Sequence, residues 1–137
     1  MCRSGGPVEE DKLADTFQII RISTGPDGKS RQDPVEVPLK SAKFGLVSKL
    51  FAGPGVELHR QAPGGHASWH TAPRRQLIAT ISGEAEIETG DGKVLKSCAG
   101  VIHLVEDLTG QGHITRITGN VDRVSLFMPL AEGVDIV

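Results

Sequence analysis

The segment Trp69-His70-Thr71-Ala72-Pro73-Arg74-Arg75-Gln76 gathers an indole, an imidazole, two guanidinium groups and a carboxamide directly before the apolar run Leu77 to Ser82 and a Ser82-Gly83 turn. An imidazole exchanges protons near neutral pH. A guanidinium pairs a carboxylate or phenolate through two parallel bonds. The Gln76 amide can orient a carbonyl or a hydroxyl. Polar groups clustered at the mouth of apolar strands make a binding site. His66 precedes His70 by four, so the two share a face if the chain is extended there. His103 lies inside the apolar run Val101–Val105, and His113 follows a Gly-containing loop that begins at Glu106-Asp107, where an acid can orient it.

These residues need a β scaffold, and the sequence supplies one. Phe17 to Ile22, Val35 to Pro38, Val56 to Arg60, Gln76 to Ser82, Glu84 to Glu88, Val94 to Lys96, Val101 to Val105, His113 to Thr118 and Val124 to Met128 read as strands, while Phe44 to Phe51 fits a strand or a helix. Pro26-Asp27-Gly28, Asp91-Gly92 and Gly83 mark turns. About nine short strands with turns every eight to twelve residues predict an all-β sandwich or closed barrel. Gln76 to Ser82 is apolar on both parities, so both its faces are expected to be covered, one of them by another subunit. With the first strand expected at a sheet edge, that predicts a homodimer. Glu84, Glu86 and Glu88 form a solvated face.

The 137 residues suit one domain, expected at 16–137 after a flexible tail at 1–15 in which Pro7 to Ala14 can form a helical turn. Seventeen acidic against fifteen basic residues give a formal charge of −2, which favours neither nucleic acid nor anionic membrane as a partner. Cys2 and Cys98 suggest no disulfide framework, and Cys98 is taken as incidental. No signal-peptide core or membrane span stands out, so a cytoplasmic protein is expected.

The stretch from Gly64 to Asp107 resembles the two motifs of the cupin superfamily. The first family motif runs G-x5-H-x-H-x(3–4)-E-x6-G. Gly64 falls on its opening glycine, His70 on its first histidine, Ala72 on its second histidine, Gln76 on its glutamate and Gly83 on its last glycine. In the second motif Gly92 and Gly100 fall on glycines, Cys98 on the proline, His103 on the histidine and Asp107 on the asparagine. The Trp69–Gln76 block and the later Val105-Glu106-Asp107-Leu108-Thr109-Gly110-Gln111-Gly112-His113-Ile114-Thr115 block are also similar to a group of small single-domain cupins. The resemblance implies a cupin-type double-stranded β-helix, a small jelly-roll barrel with its site inside.

Cupins hold iron, manganese, nickel or zinc on three histidines and a carboxylate. Here one histidine has become Ala72 and the acid has become Gln76, which supplies no charge. The favoured expectation is therefore an enzyme without a cofactor. It would act on a small carbonyl- or phenol-bearing organic substrate by isomerisation, cyclisation, elimination or decarboxylation, in the manner of a lyase or isomerase. His70 and His113 would be proton donor and acceptor, with Gln76 and an inward Arg74 as catalytic partners. Trp69, Arg75, His103 and Asp107 would contact the substrate. The alternatives are a metal-dependent, oxygenase-like cupin using His66, His70, His103 and His113 around Fe, Mn, Ni or Zn, and a non-catalytic small-molecule-binding module.

Overall fold

A computed structural model describes residues 15–137. The expectations of a flexible tail, of a helical turn at Pro7 to Ala14 and for Cys2 fall outside the described residues.

The described chain is all-β. Its strands are β1 (Thr16–Thr24), β2 (Ser30–Pro38), β3 (Lys40–Ala42), β4 (Gly45–Val47), β5 (Glu57–Gln61), β6 (His66–His70), β7 (Gln76–Ser82), β8 (Glu84–Glu88), β9 (Val94–Cys98), β10 (Ile102–Val105), β11 (His113–Thr118) and β12 (Arg123–Pro129). Among the described residues no helix is long and apolar enough to cross a membrane.

Two sheets carry the architecture. The larger has the order β2-β1-β10-β7-β12-β5 and the smaller the order β6-β11-β8-β9, while β3 and β4 form a separate hairpin. Strands β5 to β12 pass between the sheets so that β5-β12-β7-β10 faces β6-β11-β8-β9. This is the eight-stranded jelly-roll order, the double-stranded β-helix. The first strand is not an edge, contrary to the expectation. β1 lies between β2 and β10, antiparallel to the first and parallel to the second. β2 is longer than Val35 to Pro38 because the Pro26-Asp27-Gly28 turn closes a hairpin paired from Thr24↔Ser30 to Thr16↔Pro38. Of the ambiguous stretch Phe44 to Phe51, only Gly45–Val47 is strand.

Strand alternation separates two apolar clusters. Ile22, Ile78, Ala85, Ile87, Val105 and Ile117 point between the sheets, with Phe127 packed against them. Ile19, Val37, Leu77, Leu104 and Ile136 form a second cluster on the outer face of the larger sheet. Phe51, Met128 and Leu130 pack against that second cluster. This explains why Gln76 to Ser82 is apolar on both parities. At Leu77 the second face is covered by the chain's own Phe51, Leu130 and Ile136, whereas Ile81 farther along the same face is 52% exposed.

Cys98 ends β9, is buried, and is not a free thiol. The sequence expectation of an incidental cysteine does not hold.

The outer cluster is a true core and not a greasy surface, since Leu104 is 1% exposed. Leu104→Ala is expected to cost about 2–5 kcal/mol in urea unfolding, the same range as Ile78→Ala inside the barrel. A cost well under 1 kcal/mol for Leu104→Ala would mean that the outer cluster is loosely packed.

Candidate functional site

Between the sheets lies a cavity of about 290 Å³. All five histidines of the chain line it: His59 on β5, His66 and His70 on β6, His103 on β10 and His113 on β11. Ile78, Ile87, Val105, Ile117 and Phe127 supply apolar wall, and Gln76 and Arg123 also face it. His59 and Gln61 of β5 and His66, Ala67 and His70 of β6, the edge strands of the two sheets, are part of its lining.

The smaller sheet brings two imidazoles together. His113 and His70 are register partners across β11 and β6, with ring centroids 4.4 Å apart and planes inclined at 56°. The turn into β11 depends on Gly112, whose φ is +77°. A Cβ there would lie 2.0 Å from the His70 carbonyl oxygen. Only glycine lets the loop come that close.

Each ring is oriented from behind. His113 Nδ1–H donates to Asp107 Oδ2 at 2.5 Å, and the Asp107 side chain is wholly buried. His70 Nδ1–H donates to the Ser68 carbonyl at 2.7 Å. A carbonyl can only accept, so a neutral His70 keeps its lone pair on Nε2. The carboxylate fixes the same tautomer in His113. Both rings therefore offer Nε2 as base. Asp107 Oδ1 is buried and has no partner. The aspartate thus sits behind His113 rather than against a substrate.

His103, on the opposite sheet, is 1% exposed, and its Nδ1 has no hydrogen-bond partner. Burial first, then the positive charges of Arg123 and His113, push its pKa down to about 3. It is a neutral imidazole across the physiological range. Gln76 is buried, and its carbonyl oxygen accepts from Arg74 Nε at 3.3 Å, so the amide NH₂ is the group left to donate to a ligand oxygen.

Three expected site residues lie elsewhere. Arg74 and Arg75 precede β7, so strand parity does not extend to them. Arg74 pairs with Glu57 at 2.9 Å at the rim, and Arg75 pairs with Glu106 at 2.7 Å, alongside Arg21. Trp69 points to the side of β6 opposite His70 and does not line the cavity.

The arginine that does line the cavity is Arg123, which sequence reasoning missed. It is 2% exposed and no carboxylate pairs with it among the described residues. Its guanidinium donates to Thr80 Oγ1 from Nε at 3.3 Å and from Nη2 at 3.1 Å, to Gln61 Oε1 at 3.1 Å and to Ser97 Oγ at 3.4 Å. Burial lowers its pKa only to about 10, so it stays cationic. The inward parity Arg123, Ser125, Phe127 was the available signal. Binary patterning hides it, because Val124, Leu126 and Met128 on the other parity look more like a core face.

The residues present do not fit the metal site that the cupin resemblance implies. Among the described residues no three His, Cys, Asp or Glu side chains stand where one ion could bind them. Ala72 and Gln76 supply neither the second histidine nor the negative charge of that site, and His103 stands on the sheet opposite His70 and His113. The expected set His66, His70, His103 and His113 shares the cavity without converging as ligands.

No protein-family model and no curated protein matches this sequence. Solved structures similar to it include the protein NMB1881 from Neisseria meningitidis, at 17% identity over 56% of this chain and 72% of that one, with a TM-score of 0.44. A conserved protein of unknown function from Streptococcus pyogenes is 18% identical over 64% and 72% of the two chains, with a TM-score of 0.45. An RmlC-like cupin protein from Desulfovibrio desulfuricans is 12% identical over 94% and 97%, with a TM-score of 0.41. None of these carries a function to this chain, and the fold rests on the strand order.

The depressed His103 makes stability pH-dependent. The unfolded chain takes up a proton on this residue below about pH 6.5, whereas the folded chain does not until near pH 3. The unfolded state then holds more protons, so this contribution is complete above pH 6.5 and is lost as pH falls below it. Urea unfolding between pH 6.5 and 4 is expected to lose about 1 kcal/mol per pH unit from this group, and His103→Leu should flatten the slope by that amount. Equal slopes in the two proteins would show that His103 titrates normally when folded.

Proposed function

We propose that this chain is a small-molecule enzyme of the cupin type that moves protons on a carbonyl- or phenol-bearing substrate held in its barrel. The observation that carries the reading is the array Asp107–His113–His70, in which both rings line one cavity and both have Nδ1 tied back. An aspartate behind a histidine fixes its tautomer and stabilises the imidazolium that forms when Nε2 takes a proton.

The chemistry follows from these groups. His113 Nε2 removes a proton from a carbon next to a carbonyl, and the electron pair moves onto the carbonyl oxygen. The Gln76 amide NH₂ donates a hydrogen bond to that oxygen. A protonated His70, 4.4 Å from His113 between ring centroids, returns a proton to another atom. The net change is an isomerisation. With a leaving group on the next carbon, the electron pair returns from the oxygen and expels it, which is elimination. With a carboxylate in place of the abstracted proton, loss of CO₂ leaves its electron pair on the carbonyl oxygen and His70 then protonates the carbon, which is decarboxylation. His103 stays neutral as wall, and no step passes through a metal.

The test is deuterium incorporation into small ketones and phenols in D₂O, followed by proton NMR. The native protein is expected to accelerate exchange at the carbon beside the oxygen-bearing one. His113→Gln should lower that rate about a hundredfold or more, and Asp107→Asn by about tenfold or more, with circular dichroism unchanged. Saturable binding of these compounds with no exchange above buffer in native protein would favour a non-catalytic binding module.

A further inference from the structure

The wall of the cavity carries one permanent cation and no acid. Arg123 is 2% exposed and all its partners, Thr80, Ser97 and Gln61, are neutral. No Asp or Glu lines the cavity among the described residues. A buried charge without a counter-charge is costly, and the cost falls when an anion binds beside it. Gln61 accepts at Nη1, which has two N–H groups, so the guanidinium keeps donor capacity.

Other unmet capacity lies near it. Ser125, two residues along the same inward parity of β12, has a buried hydroxyl without a partner. His103 Nδ1 is likewise buried and unpartnered, and its ring feels the Arg123 charge. The strand register sets the direction. On β7 the inward residues run Gln76, Ile78, Thr80, with His103 opposite Ile78 and Val105 opposite Gln76. Asp107, which holds His113, lies just beyond the Gln76 end, whereas Arg123 donates to Thr80 at the other. His103 stands between the two ends.

We propose that Arg123 is an anion-binding subsite that takes the carboxylate of a small organic monocarboxylate, whose other end reaches His113 and His70. A planar guanidinium matches a planar carboxylate. A cavity of about 290 Å³ holds about ten water volumes, which suits a compact acid and not a nucleotide or an oligosaccharide. This rests on the cavity being the binding site. It deepens the functional reading by naming the substrate as a keto acid or a phenolic acid.

Acetate and benzoate, with acetamide and benzamide as neutral counterparts, are titrated into the full chain while the side-chain Nε–H of its arginines is followed by ¹⁵N NMR. The expected result is saturable binding of at least one acid, at least tenfold tighter than its amide, with a shift of the Arg123 signal. Arg123→Gln should abolish that preference. Equal affinity for acid and amide, or acid binding that leaves the Arg123 signal in place, overturns the subsite. The signal is read on the native chain, so the outcome does not depend on whether the variant folds. Tight acid binding without deuterium exchange would retain the subsite and overturn the enzyme reading. Exchange without acid preference would do the reverse.

Discussion

The interior of this barrel is given over to polar side chains, and the rest of the structure adjusts to that. Five imidazoles, two carboxamides and a buried guanidinium occupy inward positions that a small jelly roll would otherwise fill with apolar groups. Ile78, Ile87, Val105 and Ile117 line part of the cavity. A second core therefore forms on the outer face of the larger sheet, around Leu77 and Leu104. Ile19 and Val37 of the β1–β2 hairpin extend that core along the sheet, and Phe51, Leu130 and Ile136 pack onto it. The strands that carry the site are thus held from outside the barrel while its inside stays open to a ligand.

Most of the fold was legible. Gln76 to Ser82 and Glu84 to Glu88 matched β7 and β8 at both ends, because Gly83 and Asp91-Gly92 punctuate them and their side chains alternate. The covered face of β7 was also legible, but what covers it was not. The covering segments are 48–55, which has no period, and the C-terminal residues, which are not strand. β1 was placed at an edge because pairing it in parallel with β10 is a long-range event that leaves no local mark.

The site was legible in its histidines and less so in its arginines. His70, His103 and His113 stand out by motif or by strand position, and Asp107 by its place before the loop that leads to His113. Arg74 and Arg75 drew attention by being adjacent to one another. Each has a carboxylate outside the cavity, Glu57 for Arg74 and Glu106 for Arg75, that already satisfies it. Arg123 was missed because its strand shows the more apolar parity to the outside. A ligand-binding barrel inverts the usual rule that polar parity means solvent, and strand patterning alone cannot tell a cavity from bulk water.

The central claim is that His70 and His113 are held with Nδ1 protonated and Nε2 free to act on a ligand. Long-range ¹H–¹⁵N correlation of the histidine rings near pH 8 tests it directly. Both rings are predicted to show a protonated Nδ1 and an unprotonated Nε2, and Asp107→Asn should change the tautomer of His113 alone. A protonated Nε2 on His113 in the native protein would contradict the account.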